Sequence, residues 1–97
     1  MPAWRLAIGP NVAERVRRFP PDLKRGVREA IRAIAVDPDR GEPLKRELQG
    51  YLKYRVRRFR IVYRVDRRAR TVAIMAVGPR SSVYEDVAAA IRLRSGR

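Results

Sequence analysis

Arginine, lysine and tyrosine are the side chains of this chain that could carry out chemistry, because the more common catalytic groups are missing. The 97 residues include no cysteine and no histidine, which removes thiolate nucleophiles, disulfides and the commonest general base and metal ligand. The acidic residues form no metal-binding pattern: Asp37 and Asp39 flank a proline in a loop, and Glu85 and Asp86 are adjacent at a helix start. We therefore expect no metal site and no cofactor.

One reaction suits a set of cations and tyrosines, namely the cleavage of RNA by its own 2′-hydroxyl. The substrate supplies the nucleophile, the cations stabilise the charge that builds up on the phosphorane, and a tyrosine or a cation moves the protons. DNA lacks the hydroxyl, so the same residues would not cut DNA.

The charge of the chain indicates the same class of partner. Lysine and arginine number 24 against 10 acidic residues, which gives a net charge of +14. A domain this basic binds polyanions, and nucleic acid is the leading candidate. A membrane surface is a weaker alternative, since the sequence has no apolar run of about 18 residues and no long basic amphipathic helix.

The pattern of a predicted hairpin concentrates the basic residues on one face. Strands over about Tyr51–Arg57 and Phe59–Asp66 with a tight turn at Arg57-Arg58 place Arg55 opposite Arg60. Two arginines are poor residues for a two-residue type I′ turn, and a wider four-residue loop would keep the same alternation. Because side chains alternate between the two faces of a strand, this register separates two chemistries. One face is apolar and comprises Leu52, Tyr54, Val56, Phe59, Ile61 and Tyr63. The other carries Tyr51, Lys53, Arg55, Arg60, Arg64 and, as an exception, Val62.

A solvated sheet face is the simplest alternative interpretation of this pattern. However, like charges that face each other across a hairpin destabilise it by about 0.2–1 kcal/mol per pair, and a merely soluble face would include acidic residues. The planar guanidinium group suits bidentate contact with phosphate. We therefore expect Lys53, Arg55 and Arg60 to bind phosphate.

The elements that must position this hairpin follow from apolar periodicity and turn signals. We predict a first strand at Trp4–Ile8, a helix over about Val12–Arg18 with Asn11 and Glu14 as a capping box, and a second helix capped by Asp22. The apolar stripe of the second helix is Leu23, Val27, Ala30, Ile31 and Ile34, and Asp37-Pro38 ends it.

The rest of the chain completes an α+β domain. Asp37–Pro43 is predicted to be a loop and Leu44–Gly50 a turn or short helical piece. A central strand at Thr71–Val77 ends at Gly78-Pro79, and a last helix covers Val83–Arg94. The order β-α-α-β-β-β-α predicts one domain over residues 1–97, with a mostly antiparallel four-stranded sheet packed by an N-terminal helical hairpin and a C-terminal helix. The N-terminal residues lack a hydrophobic signal region, so we expect a cytoplasmic protein.

Two segments resemble the RelE/ParE toxin superfamily. The first resembles the family's leucine-lysine-x-x-leucine-x-glycine motif at Leu44–Gly50 and the tyrosine-arginine-valine…arginine-isoleucine-valine-tyrosine run that follows it at Tyr54–Tyr63. The second resembles the valine-glycine-x-arginine-x-x-valine-tyrosine motif at Val77–Tyr84. With the element order, the resemblance covers nearly the whole chain. RelE-like toxins are ribosome-dependent endoribonucleases that cut mRNA, and a cognate antitoxin neutralises them.

The resemblance implies roles for individual residues. Arg60 would hold the scissile phosphate, Arg80 would stabilise or protonate the leaving oxygen, and Tyr84 would act as a base, stack on a nucleobase or only anchor the last helix. Lys53 and Arg55 match basic residues that the family places on the same strand, whereas Tyr51 stands where active RelE proteins often have another lysine. The remaining residues expected to bind RNA are Lys45, Arg46, Tyr51, Arg57, Arg58 and Arg64.

Three functions therefore stay open at the level of sequence. The first is a metal-independent mRNA endonuclease that acts on the ribosome, the second a ParE-like toxin that poisons gyrase, and the third a non-catalytic RNA- or ribosome-binding module. The expected partners are the ribosome, mRNA and an acidic antitoxin that forms a hetero-oligomer with the toxin, and no membrane is expected.

Overall fold

Five β-strands form one sheet in the computed structural model of this protein, which describes residues 3–95. Residues 1, 2, 96 and 97 of the predicted domain lie outside the described part. The strand order is β1-β5-β4-β3-β2, with β1 parallel to β5 and the other neighbours antiparallel. The strands are β1 Arg5–Ile8, β2 Glu42–Pro43, β3 Leu52–Val56, β4 Phe59–Asp66 and β5 Thr71–Pro79; the helices are α1 Pro10–Arg17, α2 Pro21–Val36 and α3 Val83–Ser95, with 3-10 turns at Pro38–Arg40 and Arg46–Leu48.

The predicted α+β fold is confirmed, but the sheet has five strands rather than four. The additional strand, β2, lies inside the segment predicted as a loop and pairs Glu42 with Lys53 and Pro43 with Leu52. Two residues show no alternating pattern, and a proline is normally tolerated only at the edge of a sheet. This is why the pattern of side chains could not predict the strand.

Both N-terminal helices begin earlier than predicted, and the predicted caps are wrong. A proline occupies the first helical position in each, Pro10 in α1 and Pro21 in α2, and neither helix has a side-chain cap. Proline fits this position because its φ angle is already helical and its missing N–H would have no partner there. Asn11 consequently lies within α1, and Asp22 lies in the first turn of α2, 3.3 Å from Arg25.

The end of β5 also differs from the prediction. Gly78-Pro79 was expected to end the strand, but both residues stay paired with β4, Gly78 with Arg60 and Pro79 with Phe59. The next amide, that of Arg80, donates to the carbonyl of Arg58 at 2.9 Å. Because N–H groups alternate in direction, the nitrogen of Pro79 faces the opposite edge, beyond the part of β5 that β1 covers. The proline therefore interrupts no ladder hydrogen bond.

The hairpin has the predicted register, with Arg55 opposite Arg60 and a two-residue turn at Arg57-Arg58. Its apolar face enters the main core, where Ile61 and Tyr63 are fully buried against Val27 and Ile34 of α2. The predicted stripe of α2 is likewise confirmed, since its members are buried except for the partly buried Leu23.

The opposite face of the hairpin is not wholly exposed. Val62 is completely buried in a second, smaller core with Leu48 and the α3 residues Val83, Val87 and Ala88. Helix α3 therefore covers the middle of this face, and β5 is packed on both sides, as its apolar run predicted. None of the described helices is long and apolar enough to cross a membrane.

Candidate nucleic-acid interface

Basic side chains from β3, from β4 and from the segment after β5 meet at the turn end of the hairpin. Two neighbouring depressions of about 510 and 430 Å³ share Arg55 of β3, Arg60 of β4 and Arg80, which follows β5. The first is completed by Arg57, Arg58, Pro79 and Ser81, and the second by Arg40, Glu42, Lys53 and Tyr54. We call the charged residues of both depressions the basic site: Arg40, Glu42, Lys53, Arg55, Arg57, Arg58, Arg60 and Arg80.

The guanidinium group of Arg60 is held in place by the hairpin turn. Its Nη1 donates to the carbonyl oxygens of Phe59 at 2.8 Å and Arg57 at 3.1 Å. Arg57 itself has a φ of +56°, in the left-handed region. Within residues 3–95 the hydrogen bonds of Arg60 use only Nη1, so its other N–H groups can point at an anion. A guanidinium group fixed in this way loses little side-chain entropy when it binds phosphate.

Arg80 reaches the basic site because the ladder continues past Pro79. The hydrogen bond from its amide to Arg58 brings the residue alongside the turn, so its side chain lines both depressions. The structure thus brings together Arg80 and Arg60, which come from the two sequence motifs.

Lys53 connects the basic site to β2 and to α3. Its Nζ lies 3.8 Å from a carboxylate oxygen of Glu42 and 5.9 Å from the centroid of the Tyr84 ring. Glu42 is the single carboxylate among the described residues that line the two depressions. An ionised carboxylate has only acceptor positions, whereas arginine and a protonated lysine have only donors.

Tyr84 lies beside the basic site and not in it. Its ring packs on the second core, and its hydroxyl is buried with no hydrogen-bond partner among the described residues. A buried hydroxyl without a partner costs about 1–3 kcal/mol. This position suits a residue that anchors α3, which is one of the roles considered for Tyr84. The Tyr84 ring contacts the basic site through Lys53.

Four other predicted RNA-binding residues lie away from the basic site. Lys45 and Arg46 are exposed at the second 3-10 turn, and Tyr51 is half-buried against the second core. Arg64 shares a strand face with Arg60, but about 13 Å of β4 separates them. Of that group, only Arg57 and Arg58 line a depression with the predicted catalytic arginines.

Arg40 and Glu42 are members of the basic site that the sequence did not predict, and Tyr63 holds the segment that carries them. The Tyr63 hydroxyl donates to the carbonyl of Pro38 at 2.7 Å and accepts from the amide of Gly41 at 2.9 Å. A Cβ atom on Gly41 would overlap that hydroxyl and lie 2.7 Å from the Lys53 carbonyl oxygen. Only glycine therefore allows this close approach.

The ionisation of Tyr63 reflects the same arrangement. Burial raises the pKa of its hydroxyl above the ordinary value of 10.0, and the Gly41 hydrogen bond acts in the opposite direction. The sequence did contain a signal for the loop, because a tyrosine on a buried strand face needs a partner for its hydroxyl. The sequence did not show, however, that Pro38 and Gly41 are the partners of the Tyr63 hydroxyl.

Known proteins are similar to this chain in both sequence and fold. A family model described as the ParE toxin of the type II toxin-antitoxin system parDE matches residues 7–84. Toxin RelG from Mycobacterium tuberculosis is 35% identical over 71 residues, which are 71% of this chain and 82% of RelG.

Two solved structures show how far the similarity of fold extends. The toxin-antitoxin complex RelBE2 from Mycobacterium tuberculosis contains a chain with a TM-score of 0.73 and 28% identity, covering 84% of this chain and 97% of its own. A double mutant of the toxin RelE from E. coli in the free state has a TM-score of 0.71 over 91% of this chain and 93% of its own, and at 18% identity it supports the fold alone. The chain belongs to the ParE toxin family, and thereby to the RelE/ParE superfamily of toxins from type II toxin-antitoxin systems.

Proposed function

We propose that this toxin is a metal-independent endoribonuclease that cleaves mRNA on the ribosome and so inhibits translation. The observation that carries the proposal is the meeting of Arg55, Arg60 and Arg80 around a shared surface. Three guanidinium groups there can bind the non-bridging oxygens of one phosphate and stabilise the additional charge of a pentacoordinate transition state.

The reaction is an attack by the substrate's own 2′-hydroxyl. A bond forms between the 2′-oxygen and phosphorus, the bond from phosphorus to the 5′-oxygen breaks, and the products are a 2′,3′-cyclic phosphate and a 5′-hydroxyl. Arg55 and Arg60 hold the phosphate, and the exposed Arg80 stabilises the charge of the leaving 5′-oxygen while that oxygen takes up a proton from solvent water. We assign the proton of the 2′-hydroxyl to the Glu42 carboxylate, because the Tyr84 hydroxyl is buried.

Cleavage in a translating-ribosome assay tests the proposal. Arg60→Ala and Arg80→Ala should each lower the cleavage rate by about 10²–10³-fold, as expected for the loss of a donor to a developing oxyanion. Arg32→Ala removes the same charge from an exposed position of α2 and should cleave like the wild type. Unchanged cleavage by both site variants would contradict the assignment, and ribosome binding without cleavage by the wild type would indicate a non-catalytic module.

The proton acceptor can be identified separately. Glu42→Gln keeps the size of the side chain but removes the base, so the rate should fall by about 10²-fold or more. Tyr84→Phe should have a much smaller effect, because it removes a hydroxyl that has no partner among residues 3–95. The reverse order of effects would assign proton transfer to Tyr84.

Gyrase poisoning is the second candidate, and the match to a ParE family model favours it. Two assays with the purified protein distinguish gyrase poisoning from mRNA cleavage. Inhibition of DNA supercoiling by the purified protein, together with intact mRNA in the ribosome assay, would replace the endonuclease proposal.

An acidic antitoxin is the proposed partner. The matched chain from Mycobacterium tuberculosis belongs to a toxin-antitoxin complex, and the net charge of +14 favours a partner of opposite charge. We expect a hetero-oligomer that covers the basic site, in the cytoplasm where ribosomes are located. Co-expression with a small acidic protein from a neighbouring reading frame should suppress toxicity and yield a complex that purifies as one species.

A further inference from the structure

A row of paired positions crosses three strands at the basic site. Arg55 of β3 faces Arg60 of β4, and Arg60 faces Gly78 of β5. Residues that face each other in a sheet project from the same side. With about 4.8 Å between neighbouring strands, the row is about 10 Å long.

The guanidinium group of Arg15 occupies the third position of this row. Gly78 is buried and has no side chain, and a Cβ atom built on it would lie 3.5 Å from Nη2 of Arg15 and 3.4 Å from Cβ of Val83. Arg15 belongs to α1 and therefore reaches the sheet from another element. A cation thus lies over the position where β5 itself contributes none.

Arg15 differs from the neighbouring arginines of α1 in its pairing. Arg17 and Arg18 both bind Glu14, at 2.9 and 3.1 Å. Among the side chains that the structure describes, no carboxylate lies within 4.0 Å of Arg15. An exposed guanidinium group without a counter-ion, over a strand position paired with Arg60, raises the local affinity for anions.

We propose that Arg15 binds a second phosphate of the RNA, adjacent to the phosphate held by Arg55 and Arg60. The inference rests on the proposed function, in which the basic site holds RNA. Arg15 lines neither of the depressions that Arg55 and Arg60 share, and its helix reaches the row at the end opposite Arg55, so we assign its guanidinium group to the phosphate of the next nucleotide. The absence of a side chain at Gly78 provides the space for this contact.

Salt-dependent binding of a short single-stranded RNA with 2′-O-methyl groups, which cannot be cleaved, tests the proposal. Arg15→Gln should weaken binding by about 5- to 10-fold, and the slope of log K against log salt should become shallower by about 0.7, the value for one phosphate contact on a single strand. Arg17→Gln is the matched control, because it removes the same charge from the same helix at a residue paired with Glu14. Arg15→Lys should restore most of the slope.

A dinucleotide with a single phosphate provides the second arm of the experiment. Arg15→Gln should bind it as the wild type does, because the contact concerns the neighbouring phosphate. Equal effects of Arg15→Gln and Arg17→Gln on the longer RNA, or an equal loss with the dinucleotide, would overturn the assignment of Arg15 alone. Failure of the wild type to bind RNA at any salt concentration would overturn the proposed function as well.

Discussion

Tyr63 shows how one side chain can determine the composition of the basic site. Its ring belongs to the main core, while its hydroxyl bridges Pro38 and Gly41 in the segment that carries Arg40 and Glu42. The hydroxyl therefore couples the stability of the core to the position of two charged residues at the surface. Removing it should affect both.

Tyr63→Phe should lower the free energy of unfolding by about 1–3 kcal/mol, because the Gly41 amide and the Pro38 carbonyl lose their partner. Denaturant unfolding measures this loss, and hydrogen exchange at the Gly41 amide should become faster. Thr71→Val is a matched control, since it removes an exposed hydroxyl that bonds the Ala69 carbonyl at 3.1 Å. An equal cost for the two variants would show that the Tyr63 hydroxyl has no special role.

The pH dependence of stability should differ between the wild type and Tyr63→Phe only in alkali. Burial raises the pKa of Tyr63 in the folded protein above 10.0, so the unfolded chain loses this proton at a lower pH than the folded chain. The stability that the neutral hydroxyl provides is complete below pH 10 and decreases as the pH rises through the folded pKa. Unfolding midpoints should therefore fall more steeply above pH 10 in the wild type, and parallel curves would contradict this.

Among the structural elements, the hairpin turn combines strain with function. Arg57 adopts the left-handed conformation, which costs a residue with a Cβ about 1–2 kcal/mol. Its carbonyl oxygen nevertheless accepts a hydrogen bond from Arg60 at 3.1 Å. The turn therefore has an arginine at a position whose backbone conformation glycine would adopt with less strain.

Arg57→Gly should raise the free energy of unfolding by up to about 1 kcal/mol, because glycine adopts this conformation without strain. The backbone acceptor for Arg60 is retained, whereas RNA affinity should fall because one guanidinium group is lost from the depression. Arg58→Gly, at a position without a positive φ, should destabilise by about 0.5–1 kcal/mol. Denaturant unfolding of the two variants should thus give shifts of opposite sign.

The same elements show what could be predicted from the sequence. The hairpin register was predictable because alternating residues separate charge from apolar surface, and α2 was predictable from its regular stripe. The strand Glu42–Pro43 was not, because pairing with β3 and the Tyr63 hydroxyl hold it in place and its own pattern does not. Val62 was the overlooked indication of the second core, since an apolar residue on a basic face needs cover.

At the scale of the whole molecule, the chain carries a net charge of +14, and the part that the structure describes extends over 36 × 32 × 23 Å. The Debye length is about 30 Å at 0.01 M salt and about 8 Å at 0.15 M. At low ionic strength the cations therefore repel one another across the entire fold, whereas at moderate ionic strength only near neighbours do.

The unfolding midpoint should accordingly rise between 0.01 and 0.15 M sodium chloride, because screening weakens self-repulsion in the compact state. RNA affinity should decrease over the same range, because salt competes for the phosphates. A neutral osmolyte at equal osmolarity provides the control, since it should leave RNA affinity nearly unchanged. A midpoint that is independent of salt would show that the opposing carboxylates already balance the field.

The parallel pairing of β1 with β5 has a consequence for the synthesis of the protein. Arg5 pairs with Thr71, 66 positions later, so β1 cannot pair until β5 has been made. The meander of β3, β4 and β5 has short connections, so its strands can pair quickly. Pairing with β1 is slower, because it requires the closure of a long loop. Because Gly78 and Arg80 also come at the end of β5, the toxin acquires its last strand pairing and its complete basic site at nearly the same point of translation.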